Sequence, residues 1–119
     1  MEENNCIFCK IIRGDIPCEK VYENEKFLAF MDIHPRGTGH VQVIPKTHYR
    51  WVWDVPEAGE YFEIVKKIAL AQKKAFGVEM VRSQIFGDEV HHAHIWLWTN
   101  EDERKENLKE NAKKIISAF

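Results

Sequence analysis

The chain has few cysteines and no long apolar run, and these absences exclude several classes of protein. It holds three cysteines in 119 residues, an odd number that argues against a disulfide scaffold. No segment approaches the roughly 20 apolar residues of a membrane span, and the N-terminus lacks the basic flank and apolar core of a secretion signal. We therefore expect a cytoplasmic protein that does not insert into membranes.

The chain also lacks an excess of positive charge. Lys and Arg total 17 against 19 Asp and Glu, so the composition does not indicate a nucleic-acid polymer as partner. A small phosphorylated ligand needs only a few local donors and stays compatible with this balance. No repeat, low-complexity tract or linker divides the sequence, and 45% of the residues are hydrophobic, so we predict a single domain over 1–119 with a tail at 1–5.

Three segments have the periodicity of helices. They are a short helix at 6–13, a main helix at 54–77 and a C-terminal helix over 101–119. Capping and glycine signals mark their ends. The residues expected there are Gly14 after the first helix, Asp54 with Glu57 before the second, Gly77 after it, and Asn100 with Glu103 before the third.

Short extended segments lie between the helices. Alternation of apolar residues predicts strands at 19–22, 27–32, 40–44, 83–86 and 90–98. Strands followed by a helix, more strands and a last helix indicate an α+β fold with an antiparallel sheet, a main helix and an additional C-terminal helix.

The strand predicted at 90–98 carries the clearest chemical signal. Side chains alternate along a strand, so His92, His94 and Trp96 share one face, while Ile95 and its apolar neighbours share the other. Two imidazoles so close together could reach one phosphate or one metal ion, and imidazole is nucleophilic when neutral near pH 7. The alternative is an amphipathic strand whose histidines are only half-exposed polar residues.

Cys6 and Cys9 have the spacing of one half of a zinc site. Redox chemistry of such a pair would need a thioredoxin-like βαβ context, which the predicted elements do not supply. A metal site and a pair of reduced thiols remain the two alternatives.

Four separated segments resemble the histidine triad (HIT) superfamily of nucleotide-binding hydrolases and transferases, in particular bacterial-type members with an N-terminal Cys-x-x-Cys. The matches agree in order and spacing and extend from Cys6 to about Trp98, leaving the C-terminal helix outside. The segments are C-I-F-C-K-I-I at 6–12, A-F-M-D-I at 29–33, G-H-V-Q-V-I-P-K-T-H at 39–48 and V-H-H-A-H at 90–94. The resemblance implies a HIT-like antiparallel sheet flanked by helices and a homodimer. Trp51, Trp53 and the last helix could supply a hydrophobic contact to it, and burial within one subunit is the alternative for these residues.

The resemblance also implies catalytic roles for three histidines. His94, the middle residue of the motif, would attack the α-phosphate of a nucleotide to form a nucleotidyl-histidine that water or another acceptor resolves. His40 would support the triad and the phosphate from the neighbouring strand, and His92 is the first triad histidine.

The implied ligand is a purine nucleotide or nucleotide conjugate with adenine as the base. A carboxylate at the end of a strand suits the two ribose hydroxyls, whereas simple core packing is the alternative for the apolar positions. The residues at the family's base and ribose positions are Ile7, Phe8, Ile11, Phe30, Asp32 and Ile33.

Some bacterial-type relatives also complete a structural zinc site with two histidines. The corresponding set here is Cys6, Cys9, His48 and His92, a closed tetrahedral donor set that leaves His94 for chemistry. Reduced thiols without zinc are the alternative, and His91 could replace His92 only from the other face of the strand.

Two departures from the family bear on activity. Trp96 stands where the third histidine is expected, and indole offers one N–H donor to a bound nucleotide but no exchangeable acid. Loss of a general acid costs on the order of 10² to 10⁴ in rate. The turn Gly87-Asp88-Glu89 replaces a longer glycine-rich loop, and because carboxylates repel phosphate, Asp88 and Glu89 are expected to face solvent or a partner subunit.

Two main functions follow as hypotheses. The first is a hydrolase or transferase acting on a nucleoside 5'-monophosphate linkage, in a phosphoramidate, acyl phosphate or dinucleoside polyphosphate, through His94. The alternative is a nucleotide-binding regulatory protein with little turnover because of Trp96. A zinc-stabilised interaction module that binds no nucleotide is a third possibility.

Overall fold

The computed structural model describes residues 5–100 and 107–119, which contain three α-helices and five strands. In chain order the elements are α1 (Ile7–Arg13), β1 (Lys20–Glu23), β2 (Phe27–Met31), β3 (Val41–Pro45), α2 (Ala58–Phe76), β4 (Arg82–Ile85), β5 (Ile95–Trp98) and α3 (Leu108–Ser117). A short 3-10 turn at Val52–Asp54 precedes the main helix. The strands form one antiparallel sheet in the order β1-β2-β3-β5-β4, which confirms the predicted α+β class.

The two faces of the sheet support two separate apolar clusters. Phe27, Ala29 and Met31 of β2 pack in the larger cluster with the buried faces of α2 and α3. Leu28 and Phe30 point the other way and pack against α1. This alternation confirms the predicted strand periodicity, and it places α1 on the face of the sheet that also carries the alternate residues of β3 and β5.

The glycine signals at the ends of the first two helices are confirmed. Gly14 and Gly77 adopt left-handed backbone conformations, with φ of 85° and 63°, directly after α1 and α2. Residues with a Cβ enter that region at a cost, so glycine is favoured there.

The capping box predicted for the main helix is wrong. The helix begins at Ala58 after Glu57, whose side chain makes no capping hydrogen bond. The Asp54 carboxylate lies in the 3-10 turn before the helix, where it accepts a hydrogen bond from the backbone N–H of Trp51 at 3.3 Å. The side chain thus stabilises the 3-10 turn before the helix.

The C-terminal helix is shorter than predicted among the described residues. It begins at Leu108, and the Asn107 side chain caps it by accepting a hydrogen bond from the N–H of Glu110 at 3.0 Å. The predicted cap at Glu103 lies outside the described residues. Ala112 and Ile115 are buried, whereas Ile116 and Phe119 are 48% and 45% exposed.

The strand that carries the histidines is also shorter than predicted. Pairing in β5 starts at Ile95, so His92 and His94 lie in the loop before it. The backbone N–H of Ala93 donates to the carbonyl of Tyr49 at 2.7 Å, outside the sheet ladder. None of the described helices is long and apolar enough to cross a membrane.

Candidate active site and metal centre

His94 lies immediately before β5 with its ring buried. Its Nδ1 atom is 2.6 Å from the carbonyl oxygen of His92, and a carbonyl can only accept, so the neutral ring carries its proton on Nδ1. The lone pair is then on Nε2. Burial lowers the pKa of His94, opposed by this hydrogen bond and by the charges of Asp32 and Asp88. The arrangement yields a neutral imidazole with one nucleophilic nitrogen.

A cavity of about 180 Å³ lies beside His94. It is smaller than the roughly 300 Å³ at which pockets for whole drug-sized ligands begin, so its size suits a reacting phosphoryl group and its nearest substituents. Its walls come from α1, β3, β5 and two loops. The lining residues are Phe8, Arg36, Gln42, Phe86, Asp88, Glu89, Val90, His94 and Trp96.

His40 is fully buried behind this cavity. Its Nδ1 accepts a hydrogen bond from the backbone N–H of Arg36 at 2.9 Å, which leaves the ring proton on Nε2, 3.7 Å from Asp32 Oδ2. Desolvation lowers the pKa of His40 to about 4, and Asp32 opposes the shift while Arg36 adds to it. His40 is therefore a neutral donor aimed at the carboxylate side of the site.

Asp32 follows β2 and is held by two donors. Its Oδ1 accepts from the backbone N–H of His34 at 2.7 Å, and its Oδ2 accepts from Gln42 Nε2 at 2.9 Å. These bonds fix the carboxylate next to His40 and couple it to β3.

Three buried polar atoms in this region have no hydrogen-bond partner among the described residues. They are Nε2 of His40, Oε1 of Gln42 and Nε1 of Trp96. Gln42 and Trp96 are direct neighbours across β3 and β5, so an acceptor and a donor sit side by side on one face of the sheet. Buried polar groups are normally paired, so this group of atoms suits a polar ligand or water.

Trp96 itself is enclosed by rings. Its centroid lies 4.9 Å from His40 and 5.0 Å from Phe86, both edge-to-face. Such packing fixes the indole, so its N–H is a positioned donor without an ionisable proton.

Cys6, Cys9, His48 and His92 converge in a second cluster. Their ligand atoms all lie within 4.8 Å of one another. His92 Nδ1 is 3.3 Å from Cys6 Sγ and 3.2 Å from His48 Nδ1, and Cys9 Sγ is 3.2 Å from His48 Nδ1. Zinc–sulfur and zinc–nitrogen bonds of about 2.3 and 2.0 Å give similar ligand separations around a tetrahedral ion, so the donor set fits zinc.

His92 joins the two clusters. Its Nδ1 faces the thiols, and its Nε2 lies 2.8 Å from the carbonyl of Pro45, a common outer partner of metal-ligating histidines. Desolvation lowers the pKa of His92 to about 4. Both ring nitrogens are engaged, so this residue, predicted both as ligand and as catalytic histidine, contacts His94 through its backbone carbonyl.

The residues predicted to bind the base and ribose separate into buried and exposed groups. Ile11 and Phe30 are buried in the cluster under α1, where core packing accounts for them. Phe8 packs there too, and its ring contacts both His92 and His94 edge-on at 5.7 and 5.3 Å. Ile7 and Ile33 are 44% and 67% exposed, so their side chains are accessible to a ligand.

The loop carboxylates Asp88 and Glu89 are exposed, as expected, but they also line the His94 cavity. That position was not predicted. The sequence also did not predict that Arg36, Gln42 and Phe86 form part of the cavity wall. Gln42 gave a detectable signal, because it is the polar residue in the otherwise apolar strand V-Q-V-I-P.

Comparisons with known proteins agree with this geometry. Residues 13–102 match the model of the HIT domain. The protein hit of Bacillus subtilis is 46% identical over 100 residues, covering 78% of this chain and 69% of that protein. An adenosine 5'-monophosphoramidase of Saccharomyces cerevisiae is 37% identical over 102 residues, covering 83% of this chain and 65% of that enzyme.

Two crystal structures are similar over nearly the whole chain. A Hit-like protein involved in cell-cycle regulation from Bartonella henselae superimposes with a TM-score of 0.89 at 37% identity, covering 100% of both chains. A zinc-bound histidine triad family protein from Mycobacterium smegmatis has a TM-score of 0.85 at 29% identity, covering 98% of this chain and 94% of that one. This chain belongs to the HIT domain family, with Trp96 at the third position of its histidine triad.

Proposed function

We propose that the protein binds a nucleotide conjugate and transfers its nucleoside 5'-monophosphate group through His94, to water or to another acceptor. The observation that carries the proposal is the 2.6 Å hydrogen bond from His94 Nδ1 to the His92 carbonyl, beside a cavity of phosphoryl size. It leaves Nε2 as the nitrogen available for attack.

The first step breaks one bond and forms one. The Nε2 lone pair attacks the α-phosphorus, the N–P bond forms, and the bond to the leaving group breaks with its electron pair going to the leaving atom. Water or another nucleophile then displaces the histidine and restores the lone pair. Trp96 can donate a hydrogen bond in the first step but cannot supply a proton, so the leaving group must depart as a stable anion or obtain its proton elsewhere.

The rest of the nucleotide would lie outside the cavity. Asp32 is a fixed acceptor for ribose hydroxyls, and the exposed Ile7 and Ile33 offer apolar surface for a purine, for which adenine is our proposal. The yeast relative is named as an adenosine 5'-monophosphoramidase, which favours an adenylate linkage in this protein too.

We also propose a structural zinc ion at Cys6, Cys9, His48 and His92, and a homodimer. The donor set and the zinc-bound relative from Mycobacterium smegmatis support the metal. The exposed Trp53 and Ile116, 73% and 48% accessible, offer apolar surface to a second copy.

A fluorogenic adenylate amide tests the proposed chemistry. The unmodified protein should release the fluorophore, and His94→Ala should not, whereas His34→Ala, which changes an exposed histidine outside the cavity lining, should retain the rate. Equal rates for the His94 variant and the parent protein would refute the nucleophile.

The second candidate is a nucleotide-binding regulatory protein with little turnover, favoured by the indole at position 96. Calorimetry with AMP separates the candidates. Micromolar binding without fluorophore release supports the regulatory protein. Absence of AMP binding would refute both and leave a zinc-stabilised interaction module.

A further inference from the structure

The loop that carries Asp88 and Glu89 is held by two residues from the segment after β3. Arg50 Nη2 donates to the Gly87 carbonyl at 3.2 Å, and its guanidinium carbon lies 4.4 Å from the centre of the Trp51 ring. Trp51 packs so closely on Gly87 that a Cβ there would overlap the ring. These contacts hold the loop in place, and the close approach of the Trp51 ring requires glycine at position 87.

The loop held in this way contributes two carboxylates to the wall of the cavity. Asp88 and Glu89 line it together with His94. Arg36 lines it as well. Its guanidinium donates to Gln84 Oε1 at 3.0 Å and stacks over Trp98 at 5.1 Å, and because both partners are neutral it keeps its positive charge. The cavity wall thus holds two carboxylates and one guanidinium, a net negative charge beside the proposed nucleophile.

A second feature of the cavity also favours ligand groups that donate hydrogen bonds. Gln42 is 8% exposed, lines the cavity, and its Oε1 has no hydrogen-bond partner within the described residues. A buried acceptor of this kind is satisfied by an N–H or O–H of the ligand and repels a further oxyanion.

We propose that Asp88 and Glu89 are specificity-determining residues that select the leaving group by its charge, favouring a cationic group over a neutral one and a neutral one over an anionic one. The inference rests on the proposed function, because it concerns the leaving group at His94. It assigns the physiological conjugate to the class of nucleotides linked to a positively charged group, and it disfavours dinucleoside polyphosphates.

Coulomb's law sets the expected size of the effect. One charge pair at about 6 Å in water changes binding roughly threefold, so reversing the ligand charge changes it about tenfold for each carboxylate. The two carboxylates, opposed by the Arg36 guanidinium, should separate cationic from anionic substrates about tenfold in kcat/KM at low salt.

Three adenosine 5'-phosphoramidates of equal length test the proposal. They carry butylamine, 1,4-diaminobutane or 4-aminobutanoate, so the leaving groups are neutral, cationic or anionic with the same P–N bond. We expect kcat/KM to fall in the order cationic, neutral, anionic, and the ratio to shrink as salt rises. The double variant D88N/E89Q should remove the preference for the cationic substrate and, because Arg36 remains, reverse it by accelerating the anionic one.

The matched control is E63Q/E79Q, which removes two exposed carboxylates that are not among the cavity-lining residues and should keep the full ratio. Equal kcat/KM for the three amides in the parent protein would overturn the inference while leaving His94 chemistry intact.

Binding to His94→Ala supplies a readout that does not need turnover. The affinities of the three amides should follow the same order, and D88N/E89Q in that background should abolish the preference for the cationic amide. Equal affinities would overturn the inference. Failure of all three to bind would overturn the proposed function and this inference together.

Discussion

The Nδ1 atom of His94 lies 2.6 Å from the carbonyl oxygen of His92, two residues earlier in the chain. In Ser-His-Asp triads a carboxylate orients the histidine and stabilises its protonated form. Here the neutral carbonyl of His92 orients the ring, and it carries no full negative charge that would stabilise a protonated His94. The contact therefore favours a ring that acts as a nucleophile over one that stores a proton.

This contact predicts one tautomer for His94. In ¹⁵N NMR at pH 7, Nδ1 of His94 should appear protonated and Nε2 unprotonated, since the carbonyl accepts only from Nδ1–H. The exposed His34, outside the cavity lining, serves as the internal reference. A protonated Nε2 on a neutral His94 ring would contradict the proposed attack.

Zinc binding is predicted from the convergence of four donors. The purified protein should hold about one zinc per chain, and removing it with a chelator should lower Tm by at least about 5 °C. Cys9→Ser should lose the metal, whereas Cys18→Ser, outside the cluster, should keep it. Equal zinc content in both variants would show that the thiol of Cys9 is not a ligand.

The burial of His40 predicts a pH-dependent stability. Its pKa in the folded state is about 4, below the ordinary 6.5, because desolvation outweighs the attraction of Asp32 and Arg36 adds repulsion. As pH falls below 6.5, His40 becomes protonated in the unfolded chain, whereas in the folded chain it stays neutral until about pH 4. Stability contributed by neutral His40 is thus complete above pH 6.5 and is lost as pH falls towards 4, by up to about 3 kcal/mol.

Urea unfolding of the parent protein and His40→Asn between pH 7 and 4.5 measures this effect. The variant should be less stable at pH 7 and should lose less stability on acidification, because Asn does not titrate. His92, which is also buried and neutral, is common to both proteins and cancels in the comparison. Parallel pH curves would rule out His40 as the titrating group.

Restoring histidine at position 96 should change the choice of leaving group. Trp96→His supplies an exchangeable proton next to His40 and Phe86, so turnover of a poor leaving group such as an alkylamine should rise by on the order of 10². An adenylate with a good leaving group should gain little.

Trp96→Phe tests whether a faster reaction in Trp96→His comes from the added acid or only from the smaller side chain. It also makes room, but it supplies no exchangeable proton. If the phenylalanine and histidine variants accelerate the alkylamide equally, the acid explanation fails. Both variants leave room in the ring cluster, so circular dichroism and Tm should accompany the kinetics.

The sequence predicts the elements better than the site. Alternation in β2 assigns Phe27 and Phe30 to opposite faces correctly, and glycine marks the ends of α1 and α2, because both signals are local. The last strand begins later than predicted, at Ile95. Before it, the backbone N–H of Ala93 donates to the carbonyl of Tyr49, 44 residues earlier in the chain, and not to a strand of the sheet. No local pattern encodes such a contact.

The charge lining of the cavity shows the same limit. Repulsion from phosphate predicts that Asp88 and Glu89 face solvent, and they are exposed, but they also line the cavity, in a loop that Arg50 and Trp51 contact at Gly87. The Cys-His set, in contrast, follows from motif spacing once the family resemblance is recognised, and the structure brings all four donors together.

The placement of His92 also has a consequence for assembly. Cys6 and His92 meet across a sequence separation of 86, and β5 enters the sheet between β3 and β4, after both its neighbours have been synthesised. Contacts of such long range form late, because closing large loops costs entropy before pairing repays it. Docking of one segment then supplies the fourth donor of the cluster and the carbonyl that orients His94. A nascent chain that has not reached this segment can form neither, so the proposed zinc site and the proposed nucleophile would be completed in the same folding event.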